Sequence, residues 1–412
     1  MRPDIAILSP LARNAGTTHG GITPVVIALS AGLCTAGAKV ELLTLGDDDP
    51  RQRWPQLHPD LSVYQLGRGR RWQQERRLRR YLARRAPSAL LGAGHRANLL
   101  AARQAGGDTR IVLGIHNTLT PGLWRHNPPR RWSRLRTLRR WYPHADAIIC
   151  VSQGVADDFR RLVPDAEDRI HIRYNPIASP DTEAAFPLHP WLTESTTPVI
   201  LGVGRLTTQK GFDTLIRAFA QLHQQPQPRL LILGEGPERS ALEALAAHLD
   251  VAERVALPGF VPNPRAQMAA ASVFVLASVW EGFGNVLVEA MSVGTPVVAT
   301  DCPSGPREIL VDGTYGPLVR VGDIKALAAA ISGQLVEPTP AMRLRARAAN
   351  FTPERVAASY LELLLPRWSL QPPQGPALQA APEPNARPSA QPIEQPIDRR
   401  INTTIARDDP AP

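Results

Sequence analysis

Val273-Phe274-Val275-Leu276-Ala277-Ser278 runs into Glu281-Gly282-Phe283-Gly284-Asn285-Val286-Leu287-Val288-Glu289, and the reading of this stretch decides the fold. The unbroken apolar run predicts a buried strand. Asn285 to Val293 is apolar on nearly every face, which predicts a helix buried all round. Glu289 lies inside that helix. A buried, unpaired carboxylate is costly, so hydrogen-bond donors from the protein or from ligand hydroxyls are expected around it. Gly282 and Gly284 leave backbone N–H groups uncovered just before the helix, and with the helix N-terminus these form an anion site. Glu281 enters the same crevice from the loop. An anion pocket between two carboxylates suits a sugar nucleotide, with phosphates at the amides and hydroxyl pairs at the glutamates. A glycine turn before a core helix with a structural glutamate fits the same residues, and the segment alone leaves both readings open.

The flanking sequence alternates in the same way. Val199 to Gly204 reads as a strand and Phe212 to Leu222 as a helix. The pattern repeats through Arg229 to Gly234, Arg239 to Leu249, Arg254 to Leu257 and Arg265 to Ala271, and continues past the glutamate element with Pro296 to Thr300 and Ile324 to Leu335. Such alternation implies a parallel sheet with right-handed crossovers. Arg205 and Lys210 follow a strand end and flank the next helix start, a placement that suits a pyrophosphate. Lys210 is one of only three lysines, with Lys39 and Lys325, in an arginine-dominated chain. Two solvated surface cations are the plainer alternative. Gly234-Glu235-Gly236 ends another strand with close backbone approach.

The first half has the same character. Asp4 to Pro10 reads as a strand. A small polar loop containing Gly16, Gly20 and Gly21 follows, then a helix from Ile22 to Ala36 and a strand from Lys39 to Leu45. This is a doubly wound unit without a full G-x-G-x-x-G. Arg110 to Asn117 is a strand that ends at His116. Ligands in open α/β sheets bind beyond the carboxyl ends of strands, so His116 stands where chemistry is placed, although a lone histidine is commonly structural. Further strands are expected at Ala89 to Gly92, Ala145 to Ser152 and Arg169 to Tyr174, with helices at Asn98 to Gln104 and Gly154 to Leu162. Residues 70 to 86 and 128 to 142 are basic helices that carry Trp72, Leu78, Tyr81 and Leu82, and Trp132, Leu135, Leu138 and Tyr142, respectively.

The Glu281…Glu289 spacing resembles the Glu-x7-Glu signature of the large family 4 of retaining glycosyltransferases. The resemblance extends through Gly204-Arg205-Leu206-Thr207-Thr208-Gln209-Lys210-Gly211, Gly234-Glu235-Gly236-Pro237-Glu238-Arg239 and Gly294-Thr295-Pro296-Val297-Val298-Ala299-Thr300, in the family's order. It covers most of residues 1 to 365 and is more specific in the second half. It implies an α/β chain of two Rossmann-like doubly wound domains facing across a cleft, the GT-B type. It also implies transfer of a sugar from a UDP- or GDP-linked donor to a glycan or polyprenyl-linked lipid acceptor in envelope polysaccharide or glycolipid synthesis. By the same resemblance Gly20 and Gly21 approach the donor phosphate, and His116 contacts the donor sugar. Gly234 and Glu235 lie at the nucleobase. Glu281 binds the sugar hydroxyls, Glu289 binds the ribose diol, and Gly282-Phe283-Gly284-Asn285 complete the donor site. His116, Glu281, Arg205 and Lys210 are the implied catalytic set, with the two cations replacing a metal; no cofactor is expected.

These readings divide the chain into an acceptor-binding domain at 1–177, a linker at 178–197, a nucleotide-sugar domain at 198–350, a helix at 351–368 returning to the first domain with Thr352 as N-cap, and a tail at 369–412. The tail is rich in Pro, Gln and Ala and reads as disordered. The 412 residues carry a net charge of +10, which favours anionic partners. No nucleic-acid motif accompanies that charge, so a nucleic-acid-binding protein is the weaker alternative, as is a same-fold epimerase. Asp47-Asp48-Asp49 precedes Pro50 and reads as a solvated turn rather than a metal site. Cys34, Cys150 and Cys302 lack metal spacing, and their odd number argues against a disulfide framework. Met1 precedes a strand rather than a leader, and no run of 18 apolar residues exists. The expectation is a cytoplasmic enzyme, peripheral on an anionic membrane face through its two basic helices.

Overall fold

The computed structural model describes residues 2–10, 21–46, 49–54, 57–124, 126–177, 187–193 and 197–368. Gly20, Asp47, Asp48, most of the expected linker and the 369–412 tail lie outside the described residues.

Two parallel sheets organise the chain. The first contains β1 (Ile5–Ser9), β2 (Val40–Thr44), β3 (Ser62–Gln65), β4 (Ala89–Ala93), β5 (Arg110–Ile115), β6 (Ala147–Cys150) and β7 (Ile170–Ile172), in the order β3-β2-β1-β4-β5-β6-β7. The second contains β8 (Val199–Val203), β9 (Arg229–Leu233), β10 (Val255–Gly259), β11 (Val273–Leu276), β12 (Val297–Thr300) and β13 (Leu318–Val319), in the order β10-β9-β8-β11-β12-β13. Every pairing is parallel. These are two Rossmann-like, doubly wound units of the GT-B type.

The central strands are buried on both faces because helices cover both sides, so they read as continuous apolar runs. One apolar cluster joins the inner faces of the two sheets, from Leu8, Leu90 and Leu113 to Leu201, Phe274 and Leu287. The final helix, Pro353–Leu364, adds Tyr360, Leu361 and Leu364 to the outer core of the first sheet, beside the helix Ile22–Thr35. A Cβ on Gly32 would stand 2.3 Å from the Pro353 carbonyl oxygen, so only glycine allows this approach. Thr352 holds the N-cap position of that helix, but its side chain makes no capping bond.

Two strands have no counterpart in the sequence pattern. The edge strand β3 is largely exposed, and β13 has only two residues, so neither shows a buried period. The helix Asn285–Ser292 is also less enclosed than its composition implies. Leu287, Val288, Ala290 and Met291 are buried, whereas Asn285, Val286, Glu289 and Ser292 keep partial exposure. The expectation of a helix buried all round is therefore corrected: one face fronts the crevice.

Candidate active site

Strand order reverses between β8 and β11 in the second sheet, and the loops leaving both strands meet at that switch point. The loop after β8 carries Arg205 and Lys210; the loop after β11 carries Ser278 and Glu281. Lys210 Nζ lies 2.5 Å from Glu281 Oε1, with 15% and 8% of the two side chains exposed. The Ser278 hydroxyl donates to the same oxygen at 2.7 Å. Glu281 Oε2 has no protein partner among the described residues. Lys210 uses one of its three N–H donors here and keeps two. The two cations that flank the next helix start are thus held differently. Lys210 is charge-compensated by Glu281, and exposed Arg205 makes no protein ion pair among the described residues.

Glycines hold these loops at close range. Gly211 has φ +62°, and a Cβ there would come within 2.1 Å of the Ala277 carbonyl oxygen, which fixes the Lys210 loop against the end of β11. Gly284 has φ +101° at the N-cap of the helix Asn285–Ser292, a left-handed conformation open to glycine. No N–H from Gly282 to Asn285 has a hydrogen-bond partner among the described residues, so these donors remain for an anion.

The same loop touches the first domain. The Ser152 hydroxyl donates to the Gly282 carbonyl at 2.7 Å, and a Cβ on Gly282 would stand 2.1 Å from the His116 carbonyl oxygen. Asn285 accepts from Asn175 Nδ2 at 2.9 Å and donates to the Gly21 carbonyl at 3.3 Å. The second domain also supplies Glu308, whose carboxylate accepts from the Gln153 N–H at 2.9 Å through each oxygen, capping the first-domain helix Gln153–Leu162. Burial raises the Glu308 pKa against the pull of those amides.

The remaining predicted residues fall as follows. His116 follows β5 and is half-buried; loss of solvation takes its pKa down to about 4, with Asn175 opposing, so the imidazole is neutral at pH 7. Glu289 is half-buried and has a partner within the protein, in keeping with the cost of leaving such a carboxylate unpaired. Phe283 points into the interior, stacked on Tyr174 at 5.4 Å and edge-on to Phe351, where its ring joins the domains. Gly234 (φ +151°) is pressed against the Gly204 carbonyl, which accounts for a glycine there. Glu235 is exposed and engages Arg239 at 2.7 and 3.1 Å. Gly21 is the Asn285 contact, and Gly20 lies outside the described residues.

Sequence reasoning missed Ser152, Asn175, Ser304 and Glu308. Ser304 donates to the Glu281 carbonyl and holds that residue's backbone. Each of these is a small polar or acidic residue at a strand end or helix start, a signal shared with ordinary caps. Among the described residues no cluster of three or more His, Cys, Asp or Glu could hold a metal ion. The three cysteines are buried free thiols. No described helix is long and apolar enough to cross a membrane.

On the first domain, the helices Arg71–Arg85 and Pro128–Trp141 bury Leu78, Tyr81 and Leu138 but expose Trp72 and Trp132. Arg136, Arg139 and Arg140 line a surface cavity of about 460 Å³ with Trp132 and Leu135. Arg131 covers the exposed Trp124 ring at 4.1 Å.

Comparison with known proteins gives a consistent picture. Residues 189–351 match the family model of glycosyl transferases group 1, and residues 19–179 match that of glycosyltransferase family 4. The chain is 33% identical over 271 residues, 65% of its own length and 72% of the relative's, to the N-acetylgalactosamine-N,N'-diacetylbacillosaminyl-diphospho-undecaprenol 4-alpha-N-acetylgalactosaminyltransferase of Campylobacter jejuni. It is 33% identical to a lipopolysaccharide core biosynthesis glycosyltransferase of Rhizobium meliloti, over 54% of this chain and 65% of that one. Among solved structures, sucrose-phosphate synthase from Thermosynechococcus elongatus superposes with a TM-score of 0.70 at 24% identity, covering 88% of this chain and 98% of that one. The Anabaena protein HepE, described in complex with UDP and glucose, gives 0.67 at 20% identity, covering 88% and 99%.

Proposed function

The chain belongs to the group 1 glycosyltransferases, and we propose that it moves a sugar, with retention at the anomeric carbon, from a UDP- or GDP-linked donor to a lipid-linked or envelope glycan. The observation that carries the reading is Glu281. One carboxylate oxygen is fixed by Lys210 and Ser278, and the other remains for a ligand hydroxyl. Glu281 directly precedes Gly282 to Asn285, whose N–H groups have no partner among the described residues, and Arg205 follows the neighbouring strand β8 at the same switch point, without an ion pair among those residues.

In this reading the donor diphosphate takes the free amides, the helix N-terminus, Arg205 and the two remaining N–H donors of Lys210. Charge grows on the leaving phosphate as the bond from the anomeric carbon breaks, and these groups are already oriented toward it. The acceptor hydroxyl attacks the same face through an oxocarbenium-like transition state, and its proton passes to the departing diphosphate oxygen. Glu281 Oε2 and neutral His116 orient the donor sugar, and Glu289 serves the ribose diol. No resident metal is assigned. The acceptor side is the first domain. Its exposed Trp72, Trp124 and Trp132 lie among arginines, which suits a lipid-linked acceptor at an anionic cytoplasmic membrane face. The diphospho-undecaprenol in the Campylobacter relative's name supports that acceptor class.

A panel of nucleotide sugars read by thermal shift tests the donor, since a ligand bound to the folded state raises its melting temperature. The expected result is stabilisation by one UDP- or GDP-sugar and glycosylated acceptor as product. Epimerised nucleotide sugar in the absence of acceptor, or tighter binding of RNA than of any nucleotide sugar, would overturn the reading.

A further inference from the structure

Gly21, Asn285 and Asn175 lie far apart in the chain and form one line of hydrogen bonds, and His116 carries another buried polar atom without a partner. The order of donors and acceptors along it is fixed from one end. The Gly21 carbonyl can only accept, so Asn285 presents Nδ2 to it at 3.3 Å. Asn285 Oδ1 then faces Asn175 and can only accept, so Asn175 presents Nδ2 at 2.9 Å. This leaves Asn175 Oδ1 as the next atom in the line. Asn175 is 3% exposed, and its Oδ1 is shielded from solvent without a hydrogen bond. His116 Nδ1 is shielded and unsatisfied in the same way. Neither atom makes a hydrogen bond in this structure, and the Asn175 amide opposes the desolvation that lowers the His116 pKa.

We infer that Asn175 is a positioning residue whose Oδ1 accepts a hydrogen bond from Nδ1–H of His116 and so leaves Nε2 as the ring's acceptor. An amide oxygen cannot donate, so the proton between the two atoms belongs to the imidazole. Nε2 has space around it because residue 114 is glycine: a Cβ there would stand 2.9 Å away. The line also crosses between domains. Gly21, His116 and Asn175 belong to the first and Asn285 to the second, and Gly282 of the same loop packs on the His116 carbonyl. Docking of the 281–285 loop therefore sets the tautomer. Without Asn285, Asn175 is free to turn its NH₂ group toward Nδ1, which favours the opposite tautomer and removes the acceptor at Nε2.

The use of Nε2 to receive a donor-sugar hydroxyl rests on the glycosyl-transfer reading; the tautomer itself does not. The test is a long-range ¹H–¹⁵N spectrum of the full chain labelled at histidine, at neutral pH, with His116 assigned by its loss in His116→Gln. The expected wild-type form is protonated at Nδ1 and unprotonated at Nε2. Asn175→Ala and Asn285→Ala are both expected to move His116 toward the Nε2–H form. Asn175→Ala is expected to lower kcat about ten-fold, the scale of one hydrogen bond, with nucleoside-diphosphate affinity held within about two-fold. An Nε2–H tautomer in the wild type overturns the proposal without any variant. An unchanged tautomer in folded Asn175→Ala overturns it as well, and equal losses of kcat and diphosphate affinity would make the residue merely structural. The expected tautomer in a protein that transfers no sugar would refute the glycosyl-transfer reading and leave the relay standing.

Discussion

Glu281→Gln separates the two tasks that the geometry gives this carboxylate. In the folded protein Glu281 compensates Lys210 at 2.5 Å with little solvent access to either side chain. Removing one partner of a buried ion pair costs about 3–5 kcal/mol. Here the glutamine oxygen can still face Lys210 and Ser278 can still donate, so the expected cost is about 2 kcal/mol. For a domain of this size that lowers the melting temperature by roughly 4–8 °C. The effect on ligand binding has the opposite sign. Removing a negative charge about 6 Å from a diphosphate at an effective dielectric near 20 is worth about 3 kcal/mol, and solvent in the cleft reduces this to about 1–2 kcal/mol. Nucleoside-diphosphate affinity is therefore expected to rise roughly five- to thirty-fold while turnover falls. Differential scanning fluorimetry and isothermal titration with UDP and GDP, beside initial rates, measure all three quantities. The double variant Lys210→Met/Glu281→Gln should recover part of the lost stability, because the uncompensated charge is gone. An unchanged melting temperature, or diphosphate affinity that falls in step with turnover, would refute the reasoning.

Activity is expected to persist in EDTA, because Arg205, Lys210 and the loop amides are assigned the charge stabilisation; full loss restored by manganese or magnesium would reassign it. The His116 pKa is lowered to about 4 by desolvation, below its unfolded value near 6.5. Its neutral form therefore contributes stability that is complete above about pH 6.5 and is lost as pH falls toward 4. The stability difference between wild type and His116→Gln should shrink across that window and stay flat above it; a difference independent of pH would contradict the placement. Sedimentation with liposomes should show binding to anionic vesicles at low salt, weakened when Arg130, Arg131, Arg134 and Arg136 become Gln at about 1 kcal/mol each. Equal binding to neutral vesicles would remove the electrostatic basis of the membrane face.

Much of the fold was legible because the helix–strand alternation is local. Val199, Arg229, Val273 and Val297 each open a strand where the apolar runs place one, and the loops bearing Arg205 and Glu281 therefore had to leave strand ends on one side of the sheet. What alternation cannot supply is partnership. Lys210 and Glu281 are separated by 71 residues, and only the adjacency of β8 and β11 brings them together. Glu308 shows the limit more sharply. A glutamate in the first turn after Pro306 reads as a complement to its own helix dipole, yet the fold uses it to cap Gln153–Leu162 in the other domain. Phe283 was read into the donor loop by its neighbours, and its ring turned inward because Tyr174 and Phe351 form an apolar socket that no local pattern announces.

The residues that line the crevice are also the residues that join the domains, and this has a thermodynamic consequence. Gly282 meets Ser152 and the His116 carbonyl, and Asn285 meets Asn175 and Gly21, while the free N–H groups between them face the anion site. A diphosphate held by those amides pulls on the same backbone that the first domain holds. If it binds the docked loop better than a released one, it must favour contact between the domains by that same difference in affinity. Docking packs Gly282 on the His116 carbonyl, and in the proposed function the acceptor side is the domain to which His116 belongs. On that proposal, donor binding reaches the first domain through the 281–285 loop itself, with no separate signalling element required.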